Sequence, residues 1–223
     1  MHIPLPAAPP PPLWEGELEP PDAAKSFAAG HSPRASIGRP EQWADGQLLG
    51  DKWQPALGGR RFHMVRLAFT LRPRGLSVVT EAVFCLSLYP QGQLAPLVFD
   101  AYPRRQTVEL KDSVTFGIGP AFKIGTSEAE LAKAEATFDA GIVLPVVTVE
   151  GLQEAEVCWR YRAHAKFPLA GSRLMHAVVS LPPGVPRALA ALSLSVTQQD
   201  RLGPLPFGVP SNDQHNLRFT IGA

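Results

Sequence analysis

The chain has 223 residues, 45% of them hydrophobic, with 21 Lys+Arg against 20 Asp+Glu. That is enough apolar material for a sizeable core, and it excludes disorder of the whole chain. A formal charge of +1 also excludes a polycation that grips nucleic acid by net charge, so any anion preference must come from a local patch.

The first 59 residues read as an extended arm. Eleven of the 24 prolines fall in residues 1–55, spaced so that neither a long helix nor a central strand is expected there. The start, M-H-I-P-L-P-A-A-P-P-P-P, lacks the basic region and unbroken apolar run of a secretory signal. Pro9 to Pro12 favour polyproline II. The arm nevertheless carries Trp14, Trp43 and Trp53, three of the four tryptophans, and free segments are poor in aromatics. These three rings are therefore expected to bind a surface on a protein partner or a sister subunit.

From residue 60 onward short alternating or apolar runs are separated by turn residues. Val65, Leu67, Phe69 and Leu71 alternate with Arg66, Ala68, Thr70 and Arg72, and Pro73-Arg74-Gly75 ends the run. Residues 76–89 are apolar on nearly both sides, as a central strand would be. Further strands are expected at 94–102, 107–110, 113–124, 142–149, 157–167, 173–181, 189–198 and 216–221. Residues 126–138 carry helix-forming residues behind a capping Thr126 or Ser127 but alternate well enough for a strand. The fold class expected is all-β, an antiparallel β-sandwich or partly open barrel of roughly eight to ten strands over 60–223, preceded by the proline- and tryptophan-rich arm.

Within 157–167, Val157, Trp159, Tyr161, Ala163, Ala165 and Phe167 form one row, and Glu156, Cys158, Arg160, Arg162, His164 and Lys166 the other. The first row is expected to face the core and the second to be wet. A hairpin through Leu169-Ala170-Gly171, with Gly171 in the left-handed region, would set His164 opposite His176 and Trp159 opposite Leu181. Opposed histidines are a weak metal candidate, since no third ligand stands nearby, and no metal or other cofactor is expected. Asp213-x-His215 has ligand-like spacing, but on a loop where such residues serve turns. The basic stripe of Arg160, Arg162 and Lys166 could follow an anion, yet the aromatics point to the opposite face, so nucleic acid is not favoured.

No local catalytic motif is present. There is no G-x-S-x-G elbow, Cys158 lies on a strand without a placed base, and G-I-G-P-A-F at 117–122 lacks the third glycine of a nucleotide fingerprint. Cys85 and Cys158 fit no framework spacing and are expected as free thiols in a reducing cytoplasm. With no apolar run near the roughly 18 to 20 residues of a membrane helix, a membrane partner is not expected. The reading is thus a non-enzymatic binding or assembly protein acting through its arm. The alternatives are an enzyme or small-ligand module around His164 and His176, and an anion or nucleic-acid binder using the stripe.

Overall fold

The computed structural model describes residues 11–22, 32–44, 59–75, 77–90, 94–109, 114–117, 143–200 and 203–222. Trp53, the segment 126–138 and most of the predicted strand 113–124 lie outside the described residues.

The described residues form an antiparallel β-sandwich. One sheet runs β1 (Trp14–Glu17), β2 (Arg34–Ile37), β4 (Arg61–Arg72), β11 (Gly171–Leu181), β6 (Leu97–Tyr102), with β3 (Glu41–Ala44) also on β4. The other runs β13 (Gly203–Gly208), β12 (Arg187–Asp200), β5 (Val78–Tyr89), β10 (Glu156–Arg162), β9 (Val143–Glu150), β7 (Arg105–Glu109), β8 (Val114–Gly117), with β14 (Arg218–Gly222) also on β12. A 3-10 helix, Ser211–Leu217, separates β13 from β14.

Alternation decides which side chains meet between the sheets. Val65, Leu67, Phe69 and Leu71 of β4 and Met175, Ala177, Val179 and Leu181 of β11 face Ala82, Phe84, Leu86 and Leu88 of β5 and Val157, Trp159 and Tyr161 of β10. The Phe69 ring stacks on Phe84 with centroids 5.3 Å apart and meets Tyr161 edge-on at 5.4 Å. The expected core row of β10 is therefore buried as far as Tyr161, where the strand ends one residue later.

The hairpin expected between 157–167 and 173–181 does not form. β10 pairs with β5 and β9, and β11 with β4 and β6, so the two strands lie in opposite sheets. The chain turns back on itself at His164 and Phe167, whose backbones exchange hydrogen bonds of 3.1 and 2.8 Å. Arg173 secures this corner by donating to the carbonyls of Pro168, Ala170 and Ser172 with its guanidinium 4.7 Å over the Phe167 ring. Gly171 does take the left-handed conformation, φ 79°, but it opens β11 opposite Leu71 instead of closing a hairpin. Period two specifies a face and not a neighbour, and a corner between sheets leaves both rows pointing at the same core.

The first 59 residues supply three strands of the first sheet, so a boundary at 59/60 cuts through that sheet. Prolines 12, 33 and 40 stand before these four-residue strands and not within them, which is why their density does not forbid β-structure. Trp14 is 6% exposed, and Leu18, Ala35 and Ile37 are fully buried. β13 escaped the sequence reading for a related reason. Pro204 and Pro206 share a parity, so both missing N–H groups fall on one side of a strand that has a partner only on the other.

The two cysteines are not free thiols. Cys85 and Cys158 are directly opposed on β5 and β10 and form a disulfide. Opposed strand positions bring side chains within bonding reach whatever their separation in sequence.

Candidate functional site

The residues singled out from the sequence separate in space. Arg160 donates to Glu81 at 2.7 Å and lies 3.6 Å from Glu150, and Arg162 lies 3.8 Å from Glu81. The carboxylates come from β5 and β9, so most of the stripe's charge is balanced by neighbours that its own strand cannot reveal. Lys166 stands past the end of β10, in the corner. His164 sits in that corner, where its Nδ1 accepts from the Lys166 N–H at 3.2 Å, while His176 lies in the other sheet, across from Arg66 and beside Tyr102. The paired-histidine site is therefore not formed. Burial and the Arg66 guanidinium hold the His176 pKa below its ordinary value, with Glu41 opposing them. Among the described residues no group of three or more His, Cys, Asp or Glu gathers as metal ligands would.

The tryptophans are used internally. Trp14 donates from Nε1 to Asp213 Oδ2 at 2.9 Å, so the acid with ligand-like spacing acts as a structural acceptor. Trp43 is half-buried, with the Arg66 guanidinium 5.4 Å from its ring centroid. The arm thus lays its described tryptophans against its own sandwich. Trp14 is 6% exposed with its indole N–H taken by Asp213, so its ring is not open to a partner surface.

A groove the sequence did not indicate lies at the edge of β12. Two strands share that edge: β14 pairs with Arg187 to Ala191, and β13 with Ser195 to Asp200. Among the described residues, Leu192, Ser193 and Leu194 have no partner strand on this side. Between β13 and β14 the chain bows away as the 3-10 helix, whose Leu217 is buried while Gln214 is exposed. The opening encloses about 320 Å³ and is lined by Ser87, Tyr89, Ser193, Ser195, Gln214 and Arg218, among others. The equivalent arrangement on β4 is bridged. There β2 and β3 share one edge, but Gly38 follows β4 closely and donates to the Ala68 carbonyl at 2.9 Å.

The arm builds part of the surroundings. Glu19 and Gly208 exchange two backbone hydrogen bonds of 2.8 Å. A second opening of about 480 Å³ shares Ser195, Gly208 and Val209 with the first and is walled by Pro20, Asp22 and Phe207. Chemically, the first groove offers hydroxyls, a carboxamide, an arginine and the side of a strand. Its lining residues include no His, Cys, Asp, Glu or Lys, though lining Ser87 donates to the carboxylate of Glu156 beside it.

No protein-family model matches the sequence, and no curated protein matches it. Solved structures match the chain at low similarity. One is the Clostridium perfringens NetB toxin in the membrane inserted form, 5% identical, covering 86% of this chain and 89% of that one, with a TM-score of 0.36. Another is a collagen-binding domain from a Staphylococcus aureus adhesin, 6% identical, covering 82% and 97%, with a TM-score of 0.31. A third is described as manganese lipoxygenase of Gaeumannomyces graminis and partial zonadhesin of Komagataella pastoris, at 9% identity and a TM-score of 0.32. The match covers 82% of this chain but only 46% of that one. The exclusion of a membrane partner is corrected here. It rested on the lack of an apolar helix, and although no described helix is long and apolar enough to cross a membrane, strands closed into a barrel cross without one.

Proposed function

We propose that this chain is a β-sandwich binding module whose ligand site is the groove at the edge of β12, with the arm serving as part of its frame. The carrying observation is the gap in strand pairing at Leu192–Leu194, with polar side chains gathered around it. A sheet edge left open beside a cavity near the lower end of the small-ligand range is a natural place for a polar molecule to bind. The Cys85–Cys158 disulfide supports an oxidising compartment in place of the cytoplasm.

The reading is tested by protein-observed NMR with a panel of small neutral, acidic, basic and aromatic probes on the full chain. Saturable shifts should concentrate on Ser193, Ser195 and Gln214. Shifts clustering on the outer face of β4 and β11, or no saturable shift with any probe, would remove the groove as the binding site.

A further inference from the structure

We infer that the groove takes a saccharide bearing a single carboxylate, an inference that rests on the groove being the ligand site. Its charge pattern carries the choice. Several arginines along the sheets are ion-paired: Arg66 with Glu41, Arg72 with Glu15, Arg74 with Glu17, Arg104 with Asp100 and Arg160 with Glu81. Arg218 is exposed at the groove, and its guanidinium has no ion pair or hydrogen bond among the described residues. The carboxylate on the adjoining helix, Asp213, is held by Trp14 instead.

One unpartnered guanidinium, with no lysine or second arginine in the lining, suits one negative charge better than a dianion. Around it stand the hydroxyls of Ser193 and Ser195 and the carboxamide of Gln214, which donate or accept as a ligand hydroxyl demands. Ser87 donates its proton to Glu156 and keeps oxygen lone pairs to accept with. Tyr89, 43% exposed, adds an aromatic surface for the apolar side of a sugar ring. A neutral sugar would leave the arginine unanswered, and a simple anion would leave the hydroxyls to water.

The test is an NMR titration of the full chain with D-glucuronate, D-glucose and acetate at constant ionic strength, in the parent, Arg218→Gln, Ser193→Trp and Gln214→Trp proteins. The last two crowd the groove from opposite walls, and both positions are exposed, so at least one should retain the parent's dispersed spectrum. Glucuronate should bind the parent at least tenfold more tightly than glucose or acetate. Its affinity should fall at least tenfold in Arg218→Gln, and saturable shifts should vanish in a folded tryptophan variant. Equal affinity for glucose and glucuronate, unchanged by Arg218→Gln but lost on crowding, overturns the carboxylate and keeps the groove. Glucuronate binding that survives crowding overturns both. No saturable shift with glucuronate in the parent overturns the saccharide inference, leaving the groove to be judged by the wider panel.

Discussion

Two aromatic residues two positions apart on β10 should respond oppositely to truncation. Trp159 is fully buried, so Trp159→Ala is expected to cost about 3 to 5 kcal/mol in urea unfolding. The Tyr161 hydroxyl is buried without a hydrogen-bond partner among the described residues, and burial pushes its pKa well up, against the lowering effect of Arg173. Deleting that hydroxyl removes a desolvated group that gains nothing in return, so Tyr161→Phe should leave stability unchanged or raise it by about 1 kcal/mol. A loss on Tyr161→Phe would mean that the hydroxyl is satisfied. At His176 burial and Arg66 lower the folded pKa, so the unfolded chain takes up this proton first. The stability associated with the neutral ring is complete above about pH 6.5 and is lost as pH falls toward the folded value. Stability curves of the parent and His176→Gln should therefore converge or cross as pH drops below about 6.5, and parallel curves there would contradict the assignment.

Elements couple where the arm meets the C-terminal segment. Trp14→Phe keeps most of the buried ring but loses the bond to Asp213, a cost of about 2 kcal/mol for a hydrogen bond to a charged group. Asp213→Ala should cost a similar amount, and the double variant clearly less than the sum, since both remove one interaction. Additive losses would show that the contact contributes nothing. At this scale the sequence was legible where period two ran uninterrupted. The inward rows of β4, β5, β10 and β11 follow directly from Val65 to Leu71, Ala82 to Leu88, Val157 to Tyr161 and Met175 to Leu181. Which strand lay beside which was not legible, because the corner held by Arg173 is an outcome of tertiary contacts. Short strands bracketed by proline, and β13 with proline inside it, fell below any periodic signal. The groove was hidden for a further reason: it is a gap between two strands that share an edge, and S-N-D-Q-H-N had no pattern to show that it would bow outward.

For the molecule as a whole, the disulfide links the second sheet's β5 and β10 across a sequence separation of 73. Closing a loop of that length restricts the unfolded chain, so reduction should lower stability by about 2 to 4 kcal/mol. Denatured, unreduced protein should take up no alkylating agent, whereas two adducts per chain would restore the free-thiol reading. The larger claim is that the arm, the sandwich and the C-terminal helix form one cooperative unit. Leu18, Ala35 and Ile37 are fully buried, and the arm's backbone bonds run to β2 and to Gly208. Hydrogen exchange on the intact chain, read by mass spectrometry in peptides covering 13–19 and 203–209, tests this most directly. The two peptides should be protected together and should lose protection together in Trp14→Phe. Exchange of 13–19 at the rate of a free chain, while β4 and β5 stay protected, would contradict the claim and return the arm to an appendage.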